Sequence, residues 1–408
     1  MNDTRRDLSR LEGSTAVIVS AMRTPTGRRR GSLSHMTAAE LGAHAVRAAL
    51  AQVPQAADDV AQLIFGNVYQ GGAGQNVARQ VALGAGLPVR VPAMTVNEVC
   101  GSGLKSVILA EQLIRLRRAD VVVAGGTESM TRAALVSAYD PDTRSYLEPQ
   151  PSLMVDGLTD AFSGEAMGVT AEEVAKQHSI DRASQDAWAL RSHERATSAT
   201  SQGLYAREIA PIDLPDGQCL DHDEPIRPDT DPERLAGLRP VFAEHGTVTA
   251  GNASSVADGA AALVLTSADY ARRHNLDVLA VLTSSSEIAI DPRIMGFSPT
   301  TAIRDLLSHQ GLTTSDIDSY EINEAFAATS LAVSQDLALD PDTVNPMGSA
   351  IALGHPLGAS GARILVTLVH RLRREDQHRG VASLCVGGGM GIAVLVESLA
   401  PREAGDAR

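Results

Sequence analysis

Cys100 is followed at once by Gly101-Ser102-Gly103 and then by a largely apolar run, so it stands where a strand hands over to a buried helix. A helix N-terminus carries about half a positive charge and free N–H groups, which favour an anion. A free thiol of pKa ~8.5 is only a few per cent thiolate at neutral pH. Lowering it by two units takes about 3 kcal/mol, more than the ~2 kcal/mol upper range for a helix end. A nucleophilic Cys100 therefore needs a base, most plausibly a histidine; without one it is the buried inert cysteine that free thiols most often become. The candidate base is His355, in GSAIALGHPLGASG, ahead of a second apolar helix. His178, His222, His245 and His378 sit in polar stretches and are expected to be solvated.

Cys385 closes a strand and opens CVGGGMG. Amides running through Gly387, Gly388 and Gly389 can approach a ligand without side-chain obstruction, as an oxyanion site demands, and Cys385 could move a proton beside it. Asn323, in NEAFA between a strand and a helix, reads as an N-cap, or as an amide that orients a water or a substrate carbonyl. Cys219 lies in the acidic turn region PDGQCLDHDEP with nothing around it to activate it. Three cysteines so dispersed, with no C-x-x-C, exclude a disulfide framework and a zinc ribbon.

These residues need elements to hold them. Strands are expected at Ala16–Val19, Leu63–Phe65, Ala93–Val96 and Asp120–Val123. Helices are expected at Ala38–Val53, about Gln75–Leu83 and Gly103–Arg115. The last helix is apolar on most sides, the mark of a helix buried between layers. Such alternation predicts an α/β fold around a mostly parallel sheet. The script recurs near the C-terminus: Cys100-GSG-LKSVILAEQLIRL with strand DVVVAGG can be set beside Gly358-ASG-ARILVTLVHRLR with strand VASLCVGG. This reads as an internal duplication of an entire half, in which His355 would arrive beside Cys100 at the centre.

Between the halves, residues 127–249 are richer in Pro, Asp, Ser and Arg, with helices near Thr170–Gln177 and Arg182–Thr197. This is expected to be a long insertion folded on top of the first half and shaping a cleft. The domain reading is thus 1–126 with 250–276 as the first core half, 127–249 as the inserted loop domain, and 277–408 as the second core half. Lys+Arg 35 against Asp+Glu 49 leaves a net charge of −14, which argues against a general grip on nucleic acid or anionic lipid. No apolar run reaches the ~18 residues that span a bilayer, and MNDTRRDLSRLEGST resembles no targeting signal. A disordered polar N-terminal extension and a cytoplasmic location are expected.

Taken together, NEVCGSGLKSV, GGTESM, TVTAGNASSVADGAA, NEAFA, GHPLGASGAR and CVGGGMG, in this order over essentially the whole chain, resemble the thiolase family. The resemblance implies a five-layer αβαβα fold of two βαβαβ halves, an active site at their interface, a dimer or tetramer, and a role in fatty acid metabolism. It implies that Cys100 takes the acyl group as a thioester and that His355 activates it. Asn323 would hold a water completing one oxyanion hole, while the amides of Cys100 and Gly387 form a second. Cys385 would be the general acid and base. Ala250, Gly251 and Ser254 match the stretch along the pantetheine of coenzyme A, Arg227 a position near its adenine, and Met167, Ala325 and Phe326 the acyl pocket. Coenzyme A would be substrate and product, with no metal or other cofactor.

The implied reaction is condensation of two acetyl-CoA to acetoacetyl-CoA, or thiolysis of a 3-ketoacyl-CoA, with ping-pong kinetics. Acyl-chain length stays open, because Ala166 precedes Met167 where acetoacetyl-specific members often carry a histidine. A decarboxylating ketoacyl synthase is a second reading, but such enzymes pair the cysteine with two histidines. A non-catalytic acyl-CoA or lipid binding protein is a third, and would be expected to lack Cys100, His355 or Cys385.

Overall fold

Strands and helices alternate through both ends of the chain as the apolar pattern requires. In this computed structural model, which describes residues 7–399, the first half contains β1 (Ala16–Arg23), α1 (Ala38–Gln52), β2 (Gln62–Gly66), α2 (Val77–Gly84), β3 (Ala93–Val96), α3 (Ser102–Arg115), β4 (Val121–Ser129) and β5 (Ala257–Ser267). The second half contains β6 (Ala280–Ala289), α6 (Ser298–Gln310), β7 (Ser319–Ile322), α7 (Ala327–Asp336), α8 (Leu357–Arg374), β8 (Arg379–Val386) and β9 (Met390–Glu397). The insertion supplies α4 (Met167–Gln177) and α5 (Arg182–Ser201). Residues 1–6 of the expected N-terminal extension lie outside the described residues. From Asp7 onward that expectation fails: Leu11 is buried, and Arg272 donates to the Leu8 and Leu11 carbonyls at 2.7 and 3.1 Å.

The strands run in the order β7-β8-β9-β6-β1-β5-β4-β2-β3, with four strands of the second half on one side of the β6/β1 junction and five of the first half on the other, so that β3 has no counterpart strand in this path. That junction is narrow, pairing only Val17 with Val281 and Ile18 with Ala280, so it splices two half-sheets and is not a broad seam. The sheet is not mostly parallel. Only β2/β3, β2/β4 and β7/β8 are parallel, while β1/β5, β4/β5, β1/β6, β6/β9 and β8/β9 are antiparallel. The physical reason is clearest at Gly387–Gly389, where so short a link can only turn the chain back antiparallel. β4 and β5 are buried along their whole length, as their continuous apolar and small residues demand.

Three apolar clusters lie between five layers. One sits under α1 and α2, one surrounds α3 and α8 between the half-sheets, and one sits under α6 and α7. The duplicated Ser-Gly pairs explain how α3 and α8 come so close. A Cβ on Gly103 would stand 2.8 Å from the Ala362 nitrogen, and one on Gly361 would stand 2.5 Å from the Leu104 nitrogen. Any larger residue at either place forces the two central helices apart.

The inserted segment departs from β4 after Ser129. Ala210, Ile212 and Leu220 of the insertion join the apolar cluster of the first half, while its two long helices pack on the second half, α4 on α7 and Pro292–Phe297 and α5 on α7 and the short helix Ala350–Leu353. Glu324 fastens this contact by accepting from Trp188 Nε1 at 2.8 Å and Ser192 Oγ at 2.6 Å.

Candidate active site

Cys100 sits in a sharp turn between β3 and α3. The turn places Val99 at φ 44°, a left-handed conformation costly for a β-branched residue. Ser102 secures it, its hydroxyl donating to the Val99 carbonyl at 2.6 Å and accepting from the Glu98 N–H at 2.8 Å. The thiol is thereby thrust to the helix end, and it is buried. Burial pushes its pKa up to about 11, although the Gly387 N–H and its own N–H pull the other way. The expectation that the helix end favours a thiolate is corrected here: desolvation outweighs the partial charge of the helix.

Cys385 stands one residue before the end of β8 in the same interior. Burial first, and the proximity of Cys100 second, hold its thiol far above the ordinary range. The Gly387–Gly389 link follows, with Gly388 and Gly389 at φ 88° and 85°, so a bare backbone edge with a directed N–H lies against Cys100. Cys385 also belongs to an apolar cluster with Met167, Ala171, Val248, Met295, Ala325 and Phe326. Three expected acyl-pocket residues thus converge on the second thiol.

His355 is buried just before α8, with its N–H donating to the Ser255 carbonyl at 2.9 Å. A chain of contacts assigns its tautomer. Arg363 Nη2 faces Asn323 Oδ1 at 3.5 Å, which turns the Asn323 Nδ2 donor toward His355 Nε2 at 3.4 Å. On the other side, Ser360 donates its hydroxyl proton to the Pro356 carbonyl at 2.9 Å, so its oxygen accepts from His355 Nδ1–H at 2.6 Å. Nε2 therefore carries the lone pair. Burial, reinforced by the nearby Arg363 charge, lowers the imidazole pKa to about 3, so the ring is neutral at pH 7.

Asn323 is not a helix cap. α7 begins at Ala327 with Phe326 as its N-cap residue, so the chain runs extended past the site and leaves the amide free for the contacts above. Of the four histidines expected in solvent, His222 and His245 are exposed, whereas His178 and His378 are half-buried and His178 packs against Phe297 at 4.3 Å. Cys219 lies exposed in a two-stranded hairpin, where partial desolvation and then the nearby Asp213 and Asp221 carboxylates raise its thiol.

Three residues at the site escaped the sequence reading. Ser360 and Arg363 orient the His355–Asn323 pair, and a lone arginine in the apolar run of α8 was the signal. The third is Glu128, buried in β4. It accepts from Asn67 Nδ2 at 2.7 Å and from the N–H groups of Val68, Tyr69 and Gly358 at 3.0, 3.2 and 2.8 Å. Burial pushes its pKa up to about 7, while those donors favour the ionised form. Its carboxylate stands at the N-terminus of α8 and joins the halves.

Ala250, Gly251 and Arg227 line one groove of about 290 Å³, together with Ser255, His193, Arg28 and Arg29. Ser254 is not in its lining, but its N–H donates to the Ala325 carbonyl at 3.0 Å, tying the groove to the acyl pocket. A larger cavity, about 1230 Å³, lies between α1 and the end of α8 and holds none of these residues. Among the described residues, no group of three or more His, Cys, Asp or Glu is placed to hold a metal ion, and no helix is long and apolar enough to cross a membrane.

Comparison with known proteins finds one family over nearly the whole described chain. The family described as "Thiolase, N-terminal domain" matches residues 16–269, and "Thiolase, C-terminal domain" matches residues 276–398. An acetyl-CoA acetyltransferase of Pseudomonas aeruginosa is 48% identical over 93% of this chain and 98% of its own length. One of Cupriavidus necator is 46% identical with the same coverage. The crystal structure of human mitochondrial 3-ketoacyl-CoA thiolase in complex with CoA superimposes with a TM-score of 0.91 at 42% identity, covering 94% of this chain and 98% of that one.

Proposed function

The chain belongs to the thiolase family and is an acyltransferase of that family, and from this premise we propose that it moves acetyl groups between coenzyme A thioesters. What supports the site assignment is the meeting of Cys100 from one half with the Gly387 N–H and Cys385 from the other, and the Asn323–His355 pair held just ahead of α8, the helix packed on α3 behind Cys100. The Cys100 proton passes to His355 Nε2 as sulfur attacks the acyl carbonyl and stays there, while Cys385 gives its own proton to the departing coenzyme A thiolate and is left as the thiolate. The N–H groups of Cys100 and Gly387 hold the oxygen of the acyl-enzyme, where negative charge develops. The Cys385 thiolate then removes a proton from the methyl carbon of the second acetyl-CoA; the resulting carbanion attacks the acyl carbon and expels Cys100 as a thiolate, which recovers its proton from His355. Asn323, through a water, and His355 receive the oxygen of that second thioester.

Two thiols are needed because the one that stores the acyl group cannot also handle the methyl proton. No step calls for a metal or redox group. Ala250, Gly251, Ser254 and Arg227 are assigned to coenzyme A, with residues 127–249 acting as the inserted loop domain. A cytoplasmic dimer or tetramer working in fatty acid metabolism completes the reading.

Short-chain preference is supported by the bulk of Met167, Met295 and Phe326 around Cys385, with Phe242 edge-on to Phe326 at 6.2 Å. The test is thiolysis of 3-ketoacyl-CoAs from four to sixteen carbons. Activity concentrated at four carbons is expected; equal or greater activity on long chains would make this a long-chain 3-ketoacyl-CoA thiolase instead.

A further inference from the structure

The groove that holds Ala250, Gly251 and Arg227 has a second basic wall. Arg28 and Arg29 line it, and their side chains, like that of Arg227, are exposed and form no hydrogen bond or ion pair among the described residues. Neighbouring arginines behave otherwise, as where Arg234 pairs with Asp229 at 2.6 Å and Arg182 with Asp186 at 2.7 Å. We propose that Arg28 and Arg29 are specificity-determining residues that grip the phosphates at the nucleotide end of coenzyme A and select the free coenzyme over a carrier lacking that end. This rests on the acyl-transfer reading above.

The backbone beneath these side chains is fixed. Gly31 N–H donates to the Arg28 carbonyl at 2.8 Å, closing a turn in which Arg30 adopts φ 60°. Glu224 holds the turn from behind, accepting from the Arg28 N–H at 2.9 Å and from the Ser32 N–H and hydroxyl at 3.2 and 2.5 Å. The Arg30 N–H donates to Thr131 Oγ1 at 2.9 Å, and Thr131 is itself held by Asp258 at 2.6 Å. Two cations are therefore presented from a preorganised turn, which lowers the cost of ordering them on a ligand.

Other charges near the groove do not cancel them. The Glu224 carboxylate is occupied by the turn, and Asp229 by Arg234. His193 accepts the Arg227 N–H at 3.2 Å, and burial together with Arg227 brings its pKa down to about 4, so it is neutral. The wall is thus locally basic in a chain of net charge −14. A pantetheine arm is uncharged and has no use for three arginines. The diphosphate and 3′-phosphate of coenzyme A do, and guanidinium forks match phosphate geometry.

The experiment compares wild type with the R28Q/R29Q double variant on acetyl-CoA, acetyl-dephospho-CoA and acetyl-pantetheine. Both residues are exposed, so the variant should fold, which thermal melting checks. The variant is expected to raise KM for acetyl-CoA roughly tenfold at low salt, with a weaker salt dependence than wild type and little change in kcat. KM for acetyl-pantetheine should change by less than twofold. Unchanged KM for acetyl-CoA, or equal rises on acetyl-CoA and acetyl-pantetheine, overturns the proposal. Wild type inactive on every thioester would instead overturn the acyl-transfer reading, and the phosphate grip with it.

Discussion

Asn323 Nδ2 and His355 Nε2 face each other at 3.4 Å, a donor against a lone pair. The contact decides which imidazole nitrogen can take a proton. Asn323→Ala should lower kcat by roughly 10²–10³, the usual cost of losing an oxyanion-side donor. Asn323→Asp keeps the shape but turns an acceptor on Nε2 and draws the ring proton there, so it should be no better than alanine. Ser360→Ala frees Nδ1 and should cost roughly tenfold in kcat, because the tautomer is then unfixed. Steady-state kcat with folded variants checks all three.

Protonation states at rest give a second expectation. With the Cys100 thiol raised to about 11 and the His355 imidazole lowered to about 3, thiol and ring are both neutral near pH 7. Thiolate then grows about tenfold for each pH unit below the thiol pKa. Alkylation of Cys100 by iodoacetamide should therefore rise steadily from about pH 7 to 10. A rate already level near pH 6 would mean a preformed thiolate–imidazolium pair.

Glu128 offers four filled acceptor positions and no place for a donor. Glu128→Gln is nearly isosteric yet sets an NH₂ against backbone N–H groups. It should destabilise the fold by about 1–3 kcal/mol per donor left unsatisfied and loosen the start of α8, lowering both the melting temperature and kcat. Acid should act in the same direction on activity but not on stability: burial raises this carboxyl above its unfolded value, so its protonation favours the fold as pH falls through about 7, while it sets an O–H against the N–H donors and should reduce kcat over the same range. The variant should have lost that inflection.

Gly103→Ala tests the contact of the two central helices. The added methyl would meet the Ala362 nitrogen at 2.8 Å and the Gly358 carbonyl at 2.9 Å, both backbone atoms that cannot swing aside. Overpacking of this kind typically costs about 1–3 kcal/mol. Denaturant unfolding should register the loss, and activity should fall further than stability alone explains, since Cys100 and His355 sit at the displaced helix ends.

Much of this was legible beforehand because local patterns carried it. Strand and helix alternation, the buried character of α3 and the doubled Ser-Gly script follow from side-chain periodicity, and the solved contact at Gly103 and Gly361 supplies its reason. Cys100, His355 and Cys385 stood out because each abuts glycines at an element boundary. Strand direction was misread because Gly387–Gly389 was weighed as a ligand-facing backbone and not also as a hairpin link. Asn323 was misread as a cap because nothing local reveals that the helix waits until Ala327. The thiol shift ran opposite to the helix-end argument, since burial is a tertiary property that no local sequence feature shows. Glu128 escaped for the same reason: its partners come from Asn67–Tyr69 and Gly358, distant in the chain.

Mass spectrometry of the intact protein after exposure to acetyl-CoA, followed by peptide mapping, bears most directly on the division of labour between the two buried thiols. One acetyl group on Cys100 is expected in wild type and in Cys385→Ala, with the latter unable to form acetoacetyl-CoA. Cys100→Ala should take up none. Acetylation at Cys219, or none at Cys100 in active enzyme, would contradict the assignment.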